Sequence, residues 1–475
     1  MSKSLRVTLL AISGLVGLLV LVAVATVLFV DANAYKSRLE AAASGALGMD
    51  VTVGGRLGIG FYPWLLITLQ DVRIRNRGTD VASAQEARLG IGLMSLFQDQ
   101  LEIRKITLND ARISVERDRD GRFNFERPEP TGEAFPALDL ANISLSDGTL
   151  IYADEETGEG FKVADCRMDV HRVQHLGGQN VNLMKGLSVT ADVACGEFRK
   201  DAFVVFDLKL SANGENGVFV IKPVTMRVFG GQGSGSMQAN FTGAVPRYDV
   251  HYSLPQFYIE EFFKTLSPKK VAEGQMDFSM NLTMRGDTMH ELRRTMEGQI
   301  SLRGENLTLN GSDLDREFSR FESSQNFSLV DVGAFFFAGP FGLVVTKGYT
   351  FASVFQGSGG NSKIRNLVSD WKVERGVAQA QDVAMVTSKN RVALQGGLDF
   401  VEGQFDDVTV ALIDQNGCVE VQQRVSGAFR HPVVEKPGIV KSLTGPALEL
   451  LKKGRDLFPG GECEVFYAGS VAPPT

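Results

Sequence analysis

The chain has 475 residues, a formal net charge of −7, and a composition 44% hydrophobic and 22% charged, so it is long enough to bury a large apolar surface. With 49 basic against 56 acidic residues and no basic block beyond the N-terminus, the charge pattern argues against a nucleic-acid partner. Glycine (51) far outnumbers proline (15), which suits many strands joined by tight turns.

Val7 to Val30 is an uncharged run of 24 residues rich in Leu and Val. At ~1.5 Å per residue it would extend about 36 Å as a helix, enough to cross a bilayer. Lys3 and Arg6 precede it and Asp31 follows, which predicts an N-terminus held inside and export of everything beyond. Ala32, Asn33 and Ala34 also form a small-residue cleavage pattern, but a signal-peptide core is normally about 7 to 15 residues; the retained reading is an uncleaved anchor.

After the span, Ala34 to Leu47 predicts a short amphipathic helix, with Gly48 as its stop. From Val51 the dominant period is two. The stretch "GRLGIGFYPWLLITLQDVRI", Gly55 to Ile74, carries an aromatic step from Phe61 to Trp64. It reads either as a plain core strand or as the apolar entrance of a groove at the membrane surface, where Tyr and Trp prefer the interface. Pro63 favours an edge or a bend there.

Further on, "MDFSMNLTMR" alternates Met276, Phe278, Met280, Leu282 and Met284 with polar residues. Tyr248, Val250, Tyr252 and Leu254 do the same, as do Phe206, Leu208 and Leu210. Antiparallel sheet solvated on one side is expected. A loose repeat, "ITLNDARISV" at Ile106, "ISLSDGTLIY" at Ile143 and "WKVERGVAQA" at Trp371, reads as two short runs around a polar turn each time. Helices are expected at Gln256–Leu266, Asp287–Met296, Asp313–Ser324 and Gly438–Lys453. "FGGQGSGS" at Phe229 and "FQGSGGNS" at Phe355 read as turns or loops.

Four cysteines, Cys166, Cys195, Cys418 and Cys463, all lie beyond the span. Three pairings exist on paper, and sequence proximity favours Cys166 with Cys195 and Cys418 with Cys463. Neither pair has the spacing of a thiol redox or structural zinc site.

The N-terminal third resembles the AsmA family of Gram-negative envelope proteins. The resemblance rests on "LGMDVTVGGRLGIGFYPWLLITLQDVRI" followed by "ARLGIGLMSLFQDQLEIRKITLNDARISVERDRDGRFNFE". In order, these are a Gly-containing strand, the aromatic-Pro-Trp step, an L-x-D-V element at Leu69, a short helix at Ser95–Phe97, a strand from Leu101 and a closing "DGRFNF" at Asp120. The stretches "LQGGLDFVEGQFDDVTVAL", "VSGAFRHPVV" and "CEVFYAGSVAPP" resemble the family's C-terminal region. The resemblance implies the architecture of bridge-like lipid transfer proteins, a curled U-shaped sheet whose apolar side carries acyl chains, with roles in phospholipid traffic and outer-membrane assembly.

The expected fold is therefore mainly β: a transmembrane helix, then an elongated, curled antiparallel sheet with a few short helices. Expected divisions are 1–30 (cytoplasmic tip and anchor), 31–130 (AsmA-like N-terminal region), 131–360 (middle groove with helical insertions) and 361–475 (C-terminal β region). The expected location is the bacterial inner membrane, single-pass, with the bulk of the chain periplasmic.

Catalytic signatures are missing from the sequence: it has no GxSxG elbow, phosphate loop or HExxH helix. Cys166, His171 and His175 would make a metal-like set only on a helix, and their surroundings read as a strand. His251 reads as a wet-face residue, and His290 and His431 are isolated. Carboxylates at Asp154, Glu155 and Glu156 and at Asp406 and Asp407 read as solvated loops; the Asn-x-Ser/Thr triplets at Asn240 and Asn281 read as Ser and Thr on strand faces.

The Met and Phe alternation reads either as ordinary sheet core or as a lipid groove, since both side chains adapt to irregular acyl chains. Two 16-carbon tails would contribute on the order of 20 kcal/mol before desolvation and ordering costs. The candidate lipid-binding residues are Phe61, Trp64, Phe206, Leu208, Val250, Tyr252, Phe278, Met280 and Leu282. The expected function is non-enzymatic: an anchored periplasmic protein that binds or conducts phospholipid, without cofactor or metal, with an outer-membrane or periplasmic protein as a further partner. The alternative is a scaffold or regulator of outer-membrane protein assembly that carries no lipid.

Overall fold

The computed structural model describes residues 33, 36–60, 65–91, 103–126, 138–140, 142–175, 183–265, 271–324, 332, 336, 359–429, 431–436, 438–439 and 463–474. The span expected at Val7–Val30, the Phe61–Trp64 step and the Ser95–Phe97 helix lie outside the described residues. Among the described residues no helix is long and apolar enough to cross a membrane. The chain divides into two compact units, Met1–Gly217 and Val218–Thr475. Each is mainly β, open and dominated by antiparallel pairs. The divisions expected at 130/131 and 360/361 each fall inside one unit.

The first unit begins with α1 (Lys36–Leu47), whose Ala, Leu, Glu and Arg favour the helix. Gly48 ends it at φ 67°, its N–H donating to Ser44 O at 2.8 Å. β1 (Asp50–Val53) and β2 (Leu57–Gly60) share one edge of β3 (Leu65–Asn76). The helix caps that edge: Val51 N–H donates to Ser44 Oγ and Val53 N–H to Glu40 Oε1, so donors that would template another strand are satisfied.

From β3 the sheet runs through β4 (Thr79–Ile91), β5 (Ile103–Arg117), β7 (Asn142–Asp154), β8 (Gly160–His175), β9 (Leu187–Lys200) and β10 (Phe203–Glu215). The short β6 (Leu138–Leu140) pairs with β8, and a single helical turn, α2 (Leu183–Gly186), precedes β9. β5 and β7 run parallel, a departure from the expected antiparallel meander. The long connection between them supplies the crossover that a parallel pair needs, and Asn76 Nδ2 fastens its first part by donating to Asn124 O and Glu126 O.

The repeat at Ile106 and Ile143 is not a pair of hairpins, because each stretch lies within one continuous strand, β5 or β7. What looked like a polar turn is a phase slip. Apolar residues meet across the strands as Ile67↔Leu89 and Leu69↔Ala87, then as Val72↔Ala84 and Ile74↔Ala82, a step of three in place of two. The same step separates Leu108 from Ala111, Leu145 from Gly148, Val163 from Cys166 and Val205 from Leu208. At each of these steps stands an aspartate in the left-handed region: Asp71, Asp110, Asp147, Asp165 and Asp207, with φ of 51°, 47°, 54°, 55° and 53°. Asp tolerates this conformation better than most L-residues. One such residue delays the alternation by one position and returns the apolar side chains to the same face. Only the third repeat turns as expected, at Arg375–Gly376.

The second unit follows the order β11 (Val218–Val228), β12 (Gly231–Asn240), β13 (Arg247–Tyr258), β15 (Gln275–Arg285), β16 (Glu297–Asn310), β17 (Asn361–Glu374), β18 (Val377–Val386), β19 (Arg391–Asp399), β20 (Gln404–Ile413) and β21 (Val419–Ala428). Two-residue strands β14 (Ala272–Glu273), β22 (Val433–Val434) and β23 (Gly438–Ile439) pair with β16 and β21. "FGGQGSGS" is not a loop: after a turn at Phe229–Gly230 its glycines form β12. Gln256, at φ 50°, is a bulge and not a helix start, so β13 runs through to Tyr258 and helix α3 is only Ile259–Phe263. Gly438 and Ile439 belong to a strand; the remainder of the helix expected there is outside the described residues.

α4 (Met289–Arg294) starts at Thr288, which forms a reciprocal capping box with Glu291. α5 (Leu314–Ser324) follows β16. The core of this unit lies on β15 to β20, where Leu307, Leu309, Ile364, Leu367 and Trp371 are each 2% exposed or less. Residues 463–474 fold back on the sheet: Cys463 is joined to Cys418, Tyr467 Oη donates to Asp382, and Arg391 Nη1 donates to Val471 O at 3.0 Å. In the first unit, Cys166 is joined to Cys195 across β8 and β9.

Candidate functional site

Three cross-strand rows define one face of the second unit. Tyr252 pairs with Met280, Met280 with Ile300 and Ile300 with Trp371. Met237, Val250, Leu282 and Gly298 form the next row, and Leu254, Phe278 and Leu302 the third. The alternate residues form the opposite face: Ser236, His251, Asn281, Gln299 and Lys372 in one row, Ser234, Ser253, Ser279, Ser301 and Asp370 in another. On that polar face His251 Nδ1 lies 2.7 Å from Asn281 Oδ1, and Arg247 and Arg303 pair with Asp249 and Asp370. Asp249 is held below the usual carboxylate range by the Arg247 hydrogen bond first, then by Thr283.

The apolar face is not uniformly covered. Leu254 is 0% and Phe278 3% exposed, closed off beside α3, whose Phe262 stacks edge-on to Phe229. On β16 and β17 Ile300 and Trp371 are buried, and Ser369 Oγ donates to the carbonyl of the fully buried Phe336. By contrast Met237, Tyr248, Val250, Tyr252, Met280, Leu282 and Met284 are only half-buried. They form a trough open to solvent over β12, β13 and β15, with Phe219, Phe241 and Tyr248 stacked at one end.

Of the candidate residues, Val250, Tyr252, Phe278, Met280 and Leu282 therefore share this face, with Phe278 at its closed side. Leu208, in the other unit, lies beside Cys195. Phe206 does not share the face of Leu208. It follows Val205, whose partner is Phe198, and is itself opposite Glu197, because the slip at Asp207 separates Phe206 from Leu208. Phe61 and Trp64 are outside the described residues.

The structure adds residues that the sequence reading did not single out as a site. Met237 directly follows the glycine-rich stretch Phe229–Ser236 that read as turns or loops. In the first unit Tyr152, Phe161, Phe198 and Phe203 form an aromatic ladder with successive centroid distances of 5.1, 5.5 and 6.4 Å, and its signal was no more than single aromatics near strand ends.

Tyr252 stands out within the trough. Its ring rests on β12 where there are no side chains: a Cβ on Gly233 would lie 2.0 Å from the phenol oxygen, and one on Gly235 3.1 Å from the ring. The hydroxyl is buried without a hydrogen-bond partner, and burial pushes it up to about 12.

Other polar clusters have structural partners. Asp154, 7% exposed, accepts from Glu156 N–H, Thr157 N–H and Arg117. His171 and Ser211 both bond to Asp192, so the histidine does not contact the serine hydroxyl as a base would. Cys166 is in a disulfide, and Asn240 Oδ1 accepts from Thr242 at the β12–β13 turn. Among the described residues no group of three or more His, Cys, Asp or Glu is placed to hold a metal ion.

The family model described as AsmA family matches two stretches of the chain, residues 1–191 and 185–332. The C-terminal stretches quoted above lie beyond the matched residues. No curated protein and no solved structure matches the chain.

Proposed function

Because the chain belongs to the AsmA family, we propose that it serves envelope biogenesis by holding phospholipid, or another amphipathic lipid, on the apolar face of its strands. The observation that carries this reading is the trough at Val250, Tyr252, Met280 and Leu282, half-buried on a face that is closed at Leu254, Phe278, Ile300 and Trp371, with a charged and hydroxylated face behind it. A sheet needs one buried face to fold; an apolar patch left open within it is the surface an acyl chain would cover. Each lipid methylene placed there contributes about 0.8 kcal/mol. Met and aromatic side chains conform to chains of different length and unsaturation.

In this proposal Val7–Val30 anchors the chain in the inner membrane and the two units stand in the periplasm, where the oxidising milieu maintains both disulfides. The protein acts as a lipid carrier or conduit and not as an enzyme, and an outer-membrane or periplasmic protein receives the cargo. Mass spectrometry of lipid co-purifying with the full chain tests this. Stoichiometric phospholipid is expected; a chain that is free of lipid and stays free when offered phosphatidylethanolamine and phosphatidylglycerol vesicles supports instead the scaffold reading.

A further inference from the structure

We infer that Tyr252 is a polar reader within the trough, donating a hydrogen bond from its hydroxyl to the ester carbonyl at the head of an acyl chain. This inference rests on the lipid-binding reading above and names which lipids the site prefers. Apart from Tyr248, which stacks on Phe241 at one end, the trough is otherwise lined by Met, Val and Leu, which recognise length and bulk but not chemistry. A phenol hydroxyl buried without a partner is costly, and replacing it by hydrogen would relieve that cost in a protein that only needed packing. Here the hydroxyl has no partner, while the neighbouring Gly233 and Gly235 keep its seat clear. Any side chain at position 233 would collide with the phenol oxygen, and one at position 235 would crowd the ring.

With no side chain at either glycine, the ring settles directly on the β12 backbone. In the ligand-free protein the hydroxyl lies against β12; when an acyl chain fills the trough, a small tilt away from Gly233 turns the O–H toward the ligand. The acceptor must sit at the boundary of an otherwise apolar molecule, because Met280, Val250 and Leu282 flank Tyr252 and offer no polar contact. An ester carbonyl meets that requirement. The phenol also stays protonated, and so able to donate, at any physiological pH, since burial raises it to about 12.

The test compares two phosphatidylcholines with the same head group and chain length, one diacyl and one dialkyl ether, offered in vesicles to the full chain purified in detergent. The unaltered protein should load the diacyl lipid about threefold to tenfold more tightly, the span expected of one net hydrogen bond. Tyr252→Phe should bring diacyl loading down to the dialkyl level, leave dialkyl loading unchanged, and melt no lower than the unaltered protein. Equal loading of the two lipids by the unaltered protein overturns the inference, as does an equal loss of both in Tyr252→Phe. Loading of neither lipid overturns the lipid-binding reading itself and the inference with it.

Discussion

Phe278, Asn281 and Leu282 lie within five residues of one strand but differ in face and burial, so substituting each with alanine separates folding from lipid binding. Phe278 is 3% exposed and touches Tyr252 at 6.4 Å between ring centroids; its loss leaves a cavity and costs about 3 to 5 kcal/mol. In a unit of this size that lowers the thermal midpoint by roughly 10 °C. Leu282 is half-buried on the same face. Truncation to alanine removes three carbons worth about 0.8 kcal/mol each when fully covered, and with half their surface already covered a ligand adds about 1 kcal/mol, or roughly fivefold in affinity. Asn281 is exposed on the polar face beside His251. Its substitution should change neither quantity beyond ~0.5 kcal/mol. Binding is read by fluorescent phospholipid titration and stability by calorimetry on the same preparations. If Leu282→Ala and Asn281→Ala weaken binding equally, the apolar face is not the lipid site.

Serine at both Cys166 and Cys195, whose bridge closes 29 residues of sequence, should cost about 3 to 4 kcal/mol, measured by urea denaturation. Asp110→Val places a β-branched residue at φ 47° and should cost about 1 to 3 kcal/mol, whereas Asp110→Gly should be close to neutral; the contrast is read from the two midpoints. Asp154 is held below its ordinary value by the Thr157 N–H first, with Arg117 and the Glu156 N–H adding to it. Its contribution is therefore fully present above the unfolded aspartate value near 4 and is lost as pH falls through the lower folded value. Asp154→Asn should accordingly flatten the fall in thermal midpoint as pH drops below about 4.

Much of the fold is legible where one local signal dominates. The helix over 314–324 begins after Asp313, whose Oδ1 accepts from Arg316 N–H, and α4 is announced by Thr288 and Glu291. The alternation from Met276 to Met284 marks one face of β15 without fault. Where a residue type carries two meanings, sequence reading fails. Asp beside Asn or Ser means a turn in most chains, yet Asp110 and Asp147 occupy left-handed positions inside continuous strands. Glycine runs mean loops by composition, yet in β12 they clear space for Tyr252 and Phe257 on the neighbouring strand. Pairing partners decide both cases, and partners are not written in a local window. The parallel β5–β7 pair has the same cause: its direction is set by which strand β5 meets, and the start of the connection is held by Asn76, far upstream.

The slips bear on the proposed lipid surface as well as on the fold. Under strict alternation through Asp110, Ala111 and Ile113 would turn to the polar face, and Arg112 would enter the apolar one. Every apolar row beyond the slip would then be broken, and a lipid chain lying across the strands would meet a guanidinium. The left-handed aspartates prevent this only if they align from strand to strand, because a slip in one strand alone would lose register with its neighbours. They do align. Asp71 and Asp110 flank the same residue of β4, between the pairs Gln70↔Glu86 and Val72↔Ala84 on one side and Glu86↔Asn109 and Ala84↔Ala111 on the other. Asp165 and Asp207 flank Gly196 in the same way, and a Cβ there would stand 3.0 Å from Asp165 Cβ. The acidic side chains emerge on the polar face, where Asp71 meets Arg73 at 3.1 Å, so each slip keeps its charge in water while the opposite face stays apolar along the strand.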